Sequence, residues 1–119
     1  MAKKILVVDD DEGILDAVAF FLEECGYVVK AISDGTLTCS VVAEFQPDLI
    51  LLDVLLSGVD GRDVCRELKD NRRYRHIPII MISAHPTAKA ETKQYGAQEF
   101  LAKPFDTEDM LRTVEEYIS

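Results

Sequence analysis

Apolar residues along this chain fall into two alternating patterns. The first is the short unbroken run: Lys4 to Val8, Tyr27 to Ile32, Asp48-Leu49-Ile50-Leu51-Leu52-Asp53, Pro78-Ile79-Ile80-Met81-Ile82, and Glu99-Phe100-Leu101-Ala102. A run that does not alternate apolar with polar has both faces covered, which describes a strand of a parallel sheet clad by helices. The second pattern has helical spacing. Ile14, Val18, Leu22 and Cys25 recur at three and four residues before Gly26, and a helix here can open at Asp11 or Glu12. Leu37, Val41 and Phe45 follow the turn Ser33-Asp34-Gly35 and stop before Pro47. Val64, Cys65 and Leu68 follow Asp60-Gly61 and precede a polar loop from Asp70 to His76. A weakly apolar helix is expected over 87–95, carrying Ala88, Ala90 and Tyr95 and closed by Gly96. Asp106, with Asp109 three residues on, opens a last helix with Leu111, Val114 and Ile118 on one face.

Strict alternation of strand and helix predicts an α/β fold: one doubly wound, five-stranded parallel sheet with five helices on its two faces, a single domain over residues 1–119. The strand ends then share an edge. Asp9 and Asp10 follow the first, Asp53 ends the third, Ser83 follows the fourth and Lys103 the fifth. In open α/β sheets the carboxyl edge is where ligands gather, because crossover loops leave a crevice there. A lone Asp is ordinarily a turn residue and a lone Lys a surface one. Three carboxylates, a hydroxyl and an ammonium on four strand ends are better explained together, as a site.

These residues resemble the response-regulator receiver domain of two-component signalling over the whole chain. The likeness rests on Ile5-Leu6-Val7-Val8-Asp9-Asp10, Pro47-Asp48-Leu49-Ile50-Leu51-Leu52-Asp53, Ser83-Ala84 and Lys103-Pro104-Phe105. It implies a flavodoxin-like sheet of order 2-1-3-4-5, Asp53 as phosphoacceptor, and Asp9 and Asp10 as magnesium-binding acids. It further implies Ser83 and Lys103 as phosphoryl contacts, Phe100 as the switch aromatic, and the backbone carbonyl of Leu55 as a further magnesium ligand. The chemistry agrees. Mg2+ takes oxygen ligands, keeps several waters, and is usually held by one or two carboxylates plus a phosphate oxygen. An aspartyl phosphate forms where positive charge neutralises the phosphoryl oxygens and attack is held in line.

Composition narrows the remainder. A net charge of −9 argues against a nucleic-acid partner, and the one basic cluster, Arg72-Arg73-Tyr74-Arg75, reads as a solvated loop. The apolar runs are too short to span a membrane, and no secretory signal follows Lys3 and Lys4, so a cytoplasmic location is expected. Cys25, Cys39 and Cys65 are expected as small buried thiols, and His76 and His85 as exposed loop residues. The expected partners are a sensor histidine kinase or phosphotransfer protein, a downstream target or output domain, and a phosphorylation-dependent second copy. The chain is expected to be either a stand-alone regulator, with no output domain after Ser119, or a receiver excised from a longer one.

Three departures from the family pattern bear on this reading. Leu56-Ser57 stands where Met-Pro is more usual, Leu55 is apolar where many relatives are polar, and Phe100 lacks the hydroxyl of the commoner Tyr. Other classes share the fold. A flavodoxin-like cofactor binder would need a Ser, Thr and Gly-rich phosphate loop where this chain has Asp9-Asp10-Asp11. An aspartyl phosphatase would pair its acids within one short motif, whereas Val54-Leu55 follows Asp53. A scaffold that has lost phosphorylation would not need the acids and Lys103 intact. The expectation is a phosphoacceptor signalling protein rather than an enzyme.

Overall fold

The computed structural model describes residues 2–85 and 91–118. Strands β1 (Lys4–Val8), β2 (Val28–Ile32) and β3 (Leu49–Asp53) alternate with helices α1 (Glu12–Glu24) and α2 (Thr38–Phe45). Two short strands, β4 (Leu55–Leu56) and β5 (Val59–Asp60), precede α3 (Gly61–Asp70); β6 (Ile79–Ser83), β7 (Glu99–Ala102) and α4 (Thr107–Tyr117) complete the chain. The sheet runs β2-β1-β3-β6-β7 with every pairing parallel. That is the expected 2-1-3-4-5 order, once β4 and β5 are recognised as an insertion outside the sheet.

The unbroken apolar runs are explained by two separate cores. Odd positions Ile5, Val7, Leu49 and Leu51 face Leu15, Val18 and Leu22 of α1 and Met110 and Val114 of α4. Even positions Leu6, Val8, Ile50 and Leu52 face Val42 of α2 and Val64, Cys65 and Leu68 of α3. Side chains alternate across a strand, so covering both faces requires apolar residues at every position. All five residues of β3 and all five of β6 are buried.

Aspartates start the crossovers on the carboxyl edge by capping. Asp11 accepts from the Ile14 N–H, Asp60 from Arg62, Asp106 from Asp109, and Asp34 from Thr36 at the head of a 3-10 turn, Gly35–Leu37. Each bond satisfies a donor that the helix itself leaves unpaired.

The structure corrects several expectations. The 3-10 turn at Gly35–Leu37 holds off the start of α2 to Thr38, so Thr38 and Val42 point inward while Leu37 is exposed. Buried Thr38 is satisfied by donating its hydroxyl to the Gly35 carbonyl at 2.7 Å. In α1, Leu15 joins Val18 and Leu22 in the buried stripe, while Cys25 caps the helix and is exposed, because the chain turns away at Gly26 (φ 97°). Cys39 is only partly buried; Cys65 alone is the enclosed thiol expected. In α4, Met110 rather than Leu111 pairs with Val114 in the core. Four α-helices lie among the described residues, against five expected. The first residues of the helix expected at 87–95 lie outside the described residues. Residues 91–92 are helical and continue into a 3-10 turn, Lys93–Tyr95, that ends at Gly96 (φ 90°).

Two glycines allow close approach around the β4-β5 hairpin: Gly35 of the 3-10 turn lies against the hairpin's side chains, and Gly61 at the head of α3 lies against the backbone at the end of β3. A Cβ at Gly35 would lie 2.6 Å from Leu56 Cδ1 and 2.7 Å from Val59 Cγ1. One at Gly61 would lie 2.1 Å from the Asp53 carbonyl oxygen, and the Gly61 N–H donates to Val54 at 2.8 Å. Backbone cannot yield there as a flexible side chain could. Gly61→Ala should therefore lower stability by about 1–3 kcal/mol in chemical denaturation. Gly13→Ala, where the nearest atom is 3.4 Å away, should show no loss.

Candidate functional site

The parallel register sets three strand ends side by side. Val8 pairs with Leu52, so Asp9 emerges beside Asp53, and Asp53 pairs with Ile82, next to Ser83. Ser83 in turn pairs with Ala102, which puts Lys103 beyond the adjacent strand, its N–H donating to the Ser83 carbonyl at 2.9 Å. Asp9, Asp53 and Ser83 are 0%, 4% and 1% exposed.

Lys103 Nζ sits between the two buried acids, 2.8 Å from Asp9 Oδ2 and 3.0 Å from Asp53 Oδ2. Their other oxygens are fixed by backbone two residues on: Asp11 N–H donates to Asp9 Oδ1 at 2.9 Å and Leu55 N–H to Asp53 Oδ1 at 3.0 Å. Among the described residues, the fully buried Asp9 Oδ2 has no hydrogen bond besides the ion contact with Lys103. Asp10 is exposed and points toward the hairpin, where its Oδ2 accepts from the Ser57 N–H at 3.1 Å and the Ser57 hydroxyl at 2.8 Å. Ser83 Oγ accepts from the His85 N–H at 3.0 Å, leaving its own proton to donate.

Burial disfavours the Asp53 carboxylate and the nearby charge of Asp9 adds to this; the hydrogen bonds from Lys103 and Leu55 and the Lys103 charge oppose them. The net effect raises its pKa to about 6. Burial also works against the Lys103 charge, but contact with Asp9 and Asp53 outweighs it and holds the ammonium above its usual range.

One carboxylate oxygen from each of Asp9, Asp10 and Asp53 lies within 4.8 Å of the others. Three carboxylates around one ammonium leave a negative surplus, and Asp9 Oδ2 is a fully buried oxygen with only the shared Lys103 ammonium against it. An all-oxygen donor set of this charge fits a hard divalent cation, and cysteine and histidine, the ligands of softer metals, do not take part. The structure thus brings together Asp9, Asp10, Asp53 and Lys103, with Ser83 at the neighbouring strand end. Leu55 follows in β4 with its side chain 52% exposed. Phe100 lies apart, on β7 opposite Met81, partly buried against the α2-α3 core. Ser57 was missed by the sequence reading, which noted only that it replaces the more usual proline; a hydroxyl in the loop after a strand-end acid was the available signal.

The family model for the response regulator receiver domain matches residues 5–115. The chain belongs to that family. This receiver domain is 40% identical over 113 residues to the DNA-binding dual master transcriptional regulator RpaA of Synechocystis sp., a match covering 93% of this chain and 47% of that protein. It thus spans about half the length of that curated relative. Its fold matches the chemotaxis protein CheY4 of Vibrio cholerae with a TM-score of 0.91 and 29% identity, over 98% of this chain and 99% of that one. It also matches the signal receiver domain of a signal transduction histidine kinase from Syntrophus aciditrophicus, with a TM-score of 0.90 and 29% identity over 98% and 90% of the two chains. No helix among the described residues is long and apolar enough to cross a membrane.

The raised pKa of Asp53 has a definite sign in stability. Its carboxyl titrates at about 6 in the fold against 3.8 ordinarily, so between those values the folded state binds more protons. The contribution is fully present below 3.8 and is lost as pH rises through about 6. In metal-free buffer, the denaturation midpoint of Asp53→Asn should gain on the wild type as pH is raised from about 4 to about 7. A constant gap across that range would contradict the assignment.

Proposed function

We propose that this receiver domain accepts a phosphoryl group on Asp53 from the phosphohistidine of a sensor histidine kinase or phosphotransfer protein, in the presence of Mg2+. The observation that carries the reading is Lys103 bridging Asp9 and Asp53 at the end of the central strand. In the transfer, a carboxylate oxygen of Asp53 attacks phosphorus, the O–P bond forms as the N–P bond breaks, and the electron pair stays on the leaving imidazole. Backbone N–H donation from Leu55 holds the carboxylate in one orientation, and the Lys103 ammonium offsets charge on the phosphoryl oxygens. Ser83 donates its free hydroxyl proton to one of those oxygens. Asp9, Asp10, Asp53 and the Leu55 carbonyl would hold Mg2+, which supplies charge neutralisation for the incoming group. An apolar recess of about 400 Å³ beside Lys103, lined by Ile14, Ala17, Val18, Ala84, Pro104 and Phe105 among others, offers a seat for the phosphodonor.

Phosphorylation then works as a switch. A phosphoryl group draws the Ser83 hydroxyl toward it and with it the chain at Ala84 and His85, and half-buried Phe100 turns inward. Full burial of a Phe side chain is worth about 1.5–3 kcal/mol, and since Phe100 is already half-buried, completing its burial contributes about half of that, enough to bias a two-state equilibrium roughly three- to tenfold. The face carrying Tyr95, Phe100 and Tyr117 changes between the states, and a downstream protein, an output domain or a second copy reads it; Met110, fully buried against α1, lies in the core and not on that face. A net charge of −9 suits a protein partner better than a phosphate backbone. The domain works in the cytoplasm and catalyses only its own phosphotransfer and a slow dephosphorylation, since apolar Leu55 offers no group to orient a water. Incubation with acetyl phosphate and Mg2+ should add one phosphoryl group by intact-protein mass spectrometry, and Asp53→Asn should abolish it. Uptake by Asp53→Asn at the wild-type rate would refute the reading.

A further inference from the structure

We propose that Ser57 is a positioning residue that sets Asp10 for cation binding, an inference that rests on the magnesium reading above. Asp9 and Asp53 are each oriented by the backbone N–H two residues further on. Among the described residues Asp10 has no such bond; its hydrogen bonds come from Ser57 alone, across 47 residues of sequence. An exposed aspartate without them would spread over several rotamers, and ordering it on binding would weaken affinity.

The two Ser57 donors converge on one oxygen, Oδ2, and so leave Oδ1 without a donor among the described residues and available to a metal. Ser57 is itself well placed to impose an orientation. It lies in the turn between β4 and β5, next to Gly58 (φ 79°). That hairpin is anchored by Leu56 and Val59 against the α2-α3 core, and its two ends are drawn together where Gly61, just after β5, donates its N–H to the carbonyl of Val54, just before β4. The hairpin that carries Leu55 therefore also fixes Asp10, and the cation ligands from β1 and from the loop after β3 are held as one unit. A proline at position 57, more usual in the family this chain resembles, would supply neither donor.

The test is a Mg2+ titration of the apo protein followed by backbone amide NMR, which reads affinity without any phosphotransfer. Ser57→Ala removes the hydroxyl bond and should weaken Mg2+ about tenfold, the lower end for groups that orient metal ligands. Ser57→Thr keeps the hydroxyl and should bind near wild type. In an Asp10→Ala background, Ser57→Ala should produce no additional loss, because its effect passes through Asp10. Unchanged or tighter binding by Ser57→Ala, or an equal loss with Asp10 already removed, would overturn the inference while leaving the magnesium site intact. Absence of Mg2+ binding by the wild type would overturn both.

Discussion

The structure depends on placing two carboxylates, Asp9 and Asp53, in nearly complete burial with a single ammonium between them. Removing a carboxylate from water is expensive, and one cation cannot compensate two anions with Asp10 close by. The cost of burial surfaces in the raised pKa of Asp53, to which the charge of Asp9 adds, and in a fully buried Asp9 oxygen that has only the Lys103 ion contact. The same tension prepares the site for its proposed work: a divalent cation relieves the surplus, and the ammonium is aimed where phosphoryl oxygens would come. A site balanced within itself would be more stable and less receptive.

The sheet supplies the placement. Parallel strands bring their carboxyl ends to one edge, and the register staggers them so that Asp9, Asp53 and Ser83 lie abreast. The acids at residues 9–11 show how finely position divides labour: Asp9 is buried against Lys103, Asp10 reaches the hairpin, and Asp11 caps α1. One residue type serves three roles because successive side chains at the end of a strand point to different surroundings.

Much of this was legible in the sequence. The run from Leu49 to Asp53 could not be a half-exposed strand, and alternation of such runs with helical patterns left little choice of architecture. The strand-end residues identified the edge because charged groups stop apolar runs there. Departures arose where a shift of one residue decides the outcome. The 3-10 turn at Gly35–Leu37 rotates α2 and exposes Leu37, which periodicity alone does not reveal. The β4-β5 hairpin has two residues per strand, too few to carry a pattern. The bond from Ser57 to Asp10 depends on that hairpin, so it was hidden with it.

A crystal structure grown with Mg2+ and beryllofluoride tests the central claim most directly. The account predicts a beryllofluoride group on an Asp53 carboxylate oxygen, with Lys103 Nζ paired to a fluoride and a cation held among Asp9, Asp10 and the Leu55 carbonyl. A cation bound elsewhere, or Lys103 still bridging Asp9 and Asp53 with no group on Asp53, would contradict it.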